Sequence, residues 1–166
     1  DTPLEPQGPM ALPGKYQVKL TAAGRSVTAP LEVKMDPRVN VPVAALEQQL
    51  ALAMQISQAI QQSTEAARQA QSLRSQLRVL TGRTHNYAQE VVDMANALDQ
   101  KVAALEGGGT RRSGVGFTGV NSGLSGLMVM VTSADAAPTS QMAASFKEFR
   151  RALDEQLASW AGIRDK

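Results

Sequence analysis

Few residues in this sequence have side chains suited to catalysis or metal binding. His85 is the only histidine and the chain contains no cysteine. A metal site built on several histidines, a thiolate site and a disulfide framework are therefore all excluded. A histidine-based catalytic triad is not indicated either, so His85 is interpreted as a residue at the start of a helix. The sequence predicts no catalytic, cofactor-binding or metal-binding residue and no enzymatic activity.

One glycine string has the spacing of a nucleotide-binding motif. Residues 114–119 read G-V-G-F-T-G, which matches G-x-G-x-x-G, and Asp135 follows downstream. No predicted strand precedes the string and no βαβ unit surrounds it, so a dinucleotide site is not indicated. Residues 109–114 resemble the start of a phosphate-binding loop, but Val115 and Gly116 replace the required lysine and hydroxyl residue.

The carboxylates of the second predicted helix form another candidate cluster. They lack the inward Glu-x-x-His pattern of di-iron bundles and are interpreted as surface charge. Tyr87 and Trp160 fall on apolar stripes, so they are interpreted as core residues and not as sugar-stacking groups. The four carboxylates are Glu90, Asp93, Asp99 and Glu106.

Composition narrows the class of protein. The 166 residues are 43% hydrophobic and 19% charged, which argues against disorder throughout and favours one modest domain with an appendage. The net charge is +2 and aromatic residues make up 4%, so a nucleic-acid interface is not indicated. The longest apolar run, 123–131, is too short to cross a bilayer. The first residue is Asp1, from which we expect a processed, exported protein in the periplasm or outside the cell.

A long amphipathic helix over 43–80 organises the rest of the chain. Pro42 marks its start and Gly82 marks its end. Its opposite face is rich in glutamine, which is interpreted either as a solvated face or as a docking face for another protein. Steps of three or four residues place the following side chains on one stripe: Leu46, Leu50, Ala53, Ile56, Ile60, Ser63, Ala67, Ala70, Leu73, Leu77 and Leu80.

Three further helices are predicted, over 85–105, 117–133 and 139–161, the last capped by Thr139. We expect a mainly α fold, an up-down four-helix bundle over 38–166 with a glycine-rich linker at 107–116. Arg111 and Arg112 of that linker are interpreted as solvated or as contacts for an acidic partner. The apolar positions of these helices are Tyr87, Val91, Met94, Leu98, Val102 and Leu105, then Val120, Leu124, Leu127 and Val131, then Met142, Phe146, Phe149, Leu153, Leu157 and Trp160.

Two extended segments precede the helices. Residues 1–13 contain four prolines and are predicted to form an extended arm, either flexible or ordered along a partner or the bundle. Residues 14–37 alternate apolar and polar side chains on both sides of Gly24, which predicts a β-hairpin. Two strands bury little apolar surface by themselves, so we expect the hairpin to pack against other elements or another chain. Its edge strands are also open to the addition of a strand from a partner.

The string G-P-x-A-L-P-G-x-Y-x-V-x-L at 8–20, with Gly24 and P-L-x-V-K-M-D-P-R at 30–38, resembles the end of the Ig-like segment in bacterial BNR/Asp-box, sortilin-like propeller proteins. The string S-A-D-A-A-P-T at 133–139 and the ending at 153–160 resemble the helical tail of the same proteins. The resemblance implies an exported protein and a hairpin that is the remnant of the Ig-like segment. The propeller itself is missing, so no active-site residue is carried over.

These features favour a non-catalytic interaction or stabilising module. The processed chain also resembles the small membrane-extrinsic subunit of a bacterial photosynthetic reaction centre and antenna complex. That resemblance implies protein partners in a larger membrane complex, a position peripheral to the membrane and no cofactor of its own. The alternatives are the C-terminal assembly domain of a secreted propeller glycosyl hydrolase, and a self-assembling coiled-coil oligomer whose seams close between chains.

Overall fold

The computed structural model describes residues 8–82, 87–107 and 116–165. It is 66% helical and contains an N-terminal hairpin followed by four helices, which confirms the predicted mainly α fold. The elements are the strands β1 (Gly14–Ala22) and β2 (Arg25–Val33), and the helices α1 (Val43–Thr81), α2 (Gln89–Glu106), α3 (Phe117–Val131) and α4 (Ser140–Arg164).

The hairpin is closed by a two-residue turn. Ala23 and Gly24 both have positive φ angles, 47° and 74°, as a type I′ turn requires. The strands pair without a bulge from Ala22 opposite Arg25 to Gly14 opposite Val33. Thr21 and Ser26 join their hydroxyl groups across the strands at 2.8 Å. The predicted hairpin is therefore present over almost the whole of 14–37.

Helix α1 is the central element of the bundle. Every position of its predicted stripe is buried or partly buried, so the stripe is confirmed. Leu52, Ala59 and Ala66 are buried as well, because α1 packs against three other helices and needs a wider apolar face than one seam provides. Ser63 is fully buried and donates a hydrogen bond to the carbonyl oxygen of Phe117 at 3.1 Å, which satisfies its hydroxyl group.

Helices α2 and α3 both run antiparallel to α1, one after the other. The N-terminal half of α1 faces α3, since Gln49 bonds to the carbonyl oxygen of Val131 and Ser63 bonds to that of Phe117. The C-terminal half faces α2, where Arg74 contacts Asp99. The chain therefore runs up, down, down and up. This order differs from strict up-down alternation because α2 and α3 share the length of the longer α1.

Two glycines permit close approach between helices. A Cβ atom on Gly116 would lie 2.4 Å from the backbone nitrogen of Gly107, so the start of α3 packs directly on the end of α2. A Cβ atom on Gly123 would lie 2.3 Å from Cε1 of Phe149, so the Phe149 ring of α4 lies over the backbone of α3. Of the predicted linker, residues 108–115 lie outside the described residues.

The predicted apolar faces of α3 and α4 are confirmed, and Thr139 caps α4 by accepting a hydrogen bond from the Met142 backbone nitrogen at 3.2 Å. On α2 the prediction is wrong for three residues. Tyr87, Val91 and Met94 are exposed, Met94 at 67%, and Tyr87 is not a core residue. The buried side chains of α2 are Val92, Ala95 and Val102.

The length of α4 explains this exposure. Helix α4 runs parallel to α1, since Arg150 contacts Gln62 and Trp160 contacts Gln69. Thr81 ends α1 about 18 Å beyond Gln69, whereas α4 continues only about 6 Å past Trp160, at 1.5 Å per residue. The last turns of α1 and the first turns of α2 therefore extend beyond α4, and nothing in the described residues covers that side of α2.

Candidate interaction surface

The hairpin has one apolar face that no described helix or further strand covers. The antiparallel register places Tyr16 beside Leu31, Val18 beside Ala29 and Leu20 beside Val27 on the same side of the two strands. All six residues are exposed, and exposure is greatest near the turn, where Leu20 and Val27 are each 69% exposed. Neither strand packs extensively against a helix. The alternation of apolar and polar side chains therefore forms an apolar face that does not pack on the hydrophobic core.

The opposite face of the hairpin is polar and basic. Lys15, Gln17 and Lys19 of β1 lie on this side, opposite Glu32, Pro30 and Thr28 of β2. Glu32 pairs with Lys34 at 3.3 Å. Lys15 and Lys19 form no ion pair with any carboxylate in the part of the chain that the structure describes. This face therefore presents positive charge to solvent.

A cavity of about 450 Å³ lies between the arm, the end of β2 and the helices α1 and α3. Gly8 and residues 10–13 of the arm form one wall, and the carbonyl oxygen of Leu12 accepts a 2.7 Å hydrogen bond from the Tyr16 hydroxyl group. The volume suits a small ligand. However, Asp36 is already bound by Arg38 and Gln49 already bonds to α3, so few polar groups remain to orient one. Residues 1–7 of the predicted arm lie outside the described residues.

The glutamine-rich face of α1 is divided between two environments. Gln49 donates to the carbonyl oxygens of Val131 and Ala134, both at 2.6 Å, and so binds the end of α3. Gln62 accepts from Arg150 at 2.5 Å, and Gln69 accepts from the Trp160 indole nitrogen at 3.2 Å. The exposed glutamines are Gln48, Gln55, Gln58, Gln61, Gln71 and Gln76. Three of the nine glutamines therefore hold the bundle together, and the docking interpretation applies only to the other six.

Arg74 forms the main ion cluster between helices. Its guanidinium group donates to Asp99 at 2.8 Å and to Glu106 at 2.5 Å, and all three side chains are largely buried. The hydrogen bond from Arg74 holds the pKa of Asp99 below its usual value, although burial acts in the opposite direction. Asp99 and Glu106 are therefore structural residues that join α2 to α1. Their interpretation as surface charge is wrong, whereas Glu90 and Asp93 are exposed as expected.

The remaining candidate residues form no reactive site in the described ranges. His85, Arg111 and Arg112 lie outside them, as do Gly114 and Val115 of the glycine string, whose remaining residues begin α3. Trp160 is buried, as predicted. Within the described residues no three histidine, cysteine or acidic side chains are grouped so as to hold a metal ion. None of the described helices combines the length and the hydropathy needed to cross a membrane.

Comparison of the sequence and structure with protein-family profiles, with curated proteins and with solved structures found no match.

Proposed function

We propose that the chain is a non-catalytic interaction module in which the helical bundle is the stable base and the hairpin binds a partner protein. The observation that carries this proposal is the exposed apolar face of Tyr16, Val18, Leu20, Val27, Ala29 and Leu31. A two-stranded hairpin is marginally stable unless its apolar face packs on something, and contiguous exposed apolar surface marks interaction sites. A partner that covers this face completes the missing layer.

The resemblance noted in the sequence extends this proposal to the kind of partner. We propose that the chain is a membrane-extrinsic structural subunit of a photosynthetic reaction centre and light-harvesting complex, located in the periplasm or outside the cell. Its partners are then the protein subunits of that complex, and it binds neither pigment nor nucleic acid. The single histidine supports the absence of a pigment-binding role.

The same hairpin also supports a second candidate function, the C-terminal assembly domain of a secreted BNR-propeller glycosyl hydrolase. If the hairpin is the remnant of an Ig-like segment, further strands of that segment would pack on its apolar face. A coiled-coil oligomer is less well supported, because Phe146, Leu153 and Trp160 are buried within one chain. The seams of α3 and α4 therefore close within one chain, whereas Tyr87, Val91 and Met94 stay exposed.

The test is affinity purification of the tagged chain from its source membranes in mild detergent, followed by mass spectrometry. Val27 and Val129 provide a matched pair, because they are 69% and 68% exposed, on the hairpin and on α3. We expect the wild-type chain and Val129→Asp to recover reaction-centre and antenna polypeptides in a fixed ratio, and Val27→Asp to lose them.

Equal recovery by all three chains would show that the hairpin face is not the binding surface. Recovery of the untagged native protein only as the tail of a long propeller polypeptide would favour the hydrolase assembly domain. Circular dichroism of both variants establishes that the bundle is intact in each case.

A further inference from the structure

The two edges of the hairpin differ in their backbone hydrogen-bonding groups. Ala22 and Arg25 close the two-residue turn, so they bond to each other, and every second pair along the ladder does the same. The inward-bonding pairs are those of the apolar face, Leu20 with Val27, Val18 with Ala29 and Tyr16 with Leu31. The residues between them direct their backbone nitrogen and C=O groups outward. They are Lys15, Gln17, Lys19 and Thr21 on β1 and Ser26, Thr28, Pro30 and Glu32 on β2.

Pro30 interrupts the outer edge of β2. Proline has no backbone N–H, and Pro30 lies at one of the outward-facing positions, so this edge lacks a donor near its middle. Edge prolines of this kind hinder the addition of another strand. The outer edge of β1 has no such interruption. Its four outward-facing residues are exposed, so a strand can pair with β1 over this whole length.

The side chains beside this edge specify the chemistry of the incoming strand. Lys15 and Lys19 lie on the polar face of β1, with Gln17 between them. Side chains directly opposite in neighbouring strands lie about 5 Å apart, so acidic residues opposite the two lysines would pair with them. On the other face, apolar side chains of the incoming strand would lie beside Tyr16, Val18 and Leu20. The added strand would therefore widen the apolar face.

We propose that the outer edge of β1 binds an extended segment of a partner protein that reads acidic, apolar, polar, apolar, acidic. This inference rests on the proposed function, in which the hairpin binds a partner, and it adds which edge is used and which sequence is recognised. The backbone groups of β1 supply affinity, and the two lysines select for acidic segments.

The test uses the complete chain and a capped synthetic peptide, Glu-Val-Thr-Val-Glu-Val, titrated in an NMR experiment. We expect binding to protect the amide hydrogens of Lys15, Gln17, Lys19 and Thr21 from exchange. Gln17→Pro removes an outward donor from β1, and Thr28→Pro is the matched control on β2. Gln17→Pro should weaken peptide binding at least tenfold, whereas Thr28→Pro should change it less than twofold.

Gln17 and Pro30 lie opposite each other, and both direct their backbone nitrogen atoms outward. Gln17→Pro therefore preserves the inward hydrogen bonds of the hairpin. Contacts between Leu20 and Val27 in the NMR spectrum verify that the hairpin is intact. Lys19→Glu is a second variant that leaves the backbone unchanged. It should weaken binding of the glutamate peptide at least tenfold and favour a peptide in which only the glutamate opposite residue 19 is replaced by lysine, because Lys15 still selects an acidic residue.

The peptide titration would overturn the inference if it showed no binding at millimolar concentration, protection of the β2 edge instead of β1, or equal effects of the two proline variants. Attachment of the hairpin to anionic lipid vesicles, unaffected by Gln17→Pro and without peptide binding, would also overturn it in favour of a lipid surface. The purification from membranes separates this inference from the proposed function. If Gln17→Pro still recovers the native partners, the edge inference fails and the proposed function stands. If the wild-type chain recovers no partner from membranes while the peptide protects β1, the proposed function fails and the edge inference stands.

Discussion

Two glycines of α3 provide a sharp test of how closely the helices pack. Gly123 and Gly126 both lie inside α3 and both have ordinary helical backbone angles. A Cβ atom on Gly126 would meet nothing within 4 Å, whereas one on Gly123 would lie 2.3 Å and 2.5 Å from two ring atoms of Phe149. The same substitution therefore has opposite consequences at two positions that are three residues apart.

The magnitudes follow from helix propensity and from packing. Replacing glycine by alanine inside a helix gains about 0.5 to 1 kcal/mol, so Gly126→Ala should stabilise the protein by about that amount. Gly123→Ala gains the same free energy from helix propensity, but its Cβ atom forces the Phe149 ring away from α3. Complete removal of a buried phenylalanine side chain costs about 3 to 5 kcal/mol. Phe149 is only partly buried, so we expect a loss of about 2 kcal/mol and a net destabilisation of about 1 kcal/mol.

The assay is urea unfolding followed by helical circular dichroism, with each alanine introduced alone and together with Phe149→Ala. In the Phe149→Ala background the ring is absent, so Gly123→Ala should become stabilising, like Gly126→Ala. If Gly123→Ala already stabilises the wild-type protein as much as Gly126→Ala does, the Phe149 ring does not pack on Gly123 and the packing argument is wrong.

The remaining predictions concern the ion cluster, the core and the turn. Arg74→Met should destabilise the protein at neutral pH. In the wild type the lowered pKa of Asp99 makes stability fall as the pH drops below about 4, and the lowered pKa values of Asp36, Glu65 and Asp154 act in the same direction. The variant should therefore lose only the part of this dependence that Asp99 contributes, which unfolding at several pH values measures. Phe146→Ala should cost about 3 to 5 kcal/mol in urea unfolding, because the side chain is 9% exposed. Ala23→Asn should stabilise the hairpin by about 1 kcal/mol, measured by amide exchange of β1, because asparagine tolerates the positive φ better than alanine does.

Most of the fold could be predicted from the sequence, because helices and strands have different hydrophobic periods. The helical period predicts the stripe of α1 and the faces of α3 and α4, and the period of two around Gly24 predicts the hairpin. The orientation of α2 could not be predicted in this way. The apolar face of α2 continues past the end of α4. The hydrophobic period of α2 does not indicate where a neighbouring helix ends and leaves this face uncovered. The period therefore places Tyr87, Val91 and Met94 in the core, although the core ends before it reaches them.

The polar contacts between helices also could not be predicted from the sequence. Nine glutamines on α1 are chemically alike, and only the packing distinguishes Gln49, Gln62 and Gln69, which bond to α3 and α4, from the exposed ones. Similarly, Asp99 differs from Asp93 only in facing Arg74. The sequence does contain one signal, since Asp99 and Glu106 are seven residues apart and lie on one face of a helix. It could not be used without knowing which arginine of α1 lies opposite.

The hairpin can be altered without disturbing the core, because every buried side chain in the described residues belongs to the helices. The apolar face alone does not account for tight binding. Its five larger side chains are roughly half exposed, and full burial of such a side chain contributes about 1.5 to 3 kcal/mol, so covering the face gains about 5 kcal/mol. Association itself costs at least about 4 kcal/mol. A complex of micromolar affinity needs a net gain of about 8 kcal/mol, so the backbone groups of β1 and the two lysines must contribute. We therefore expect Gln17→Pro to weaken partner binding without lowering the stability of the bundle.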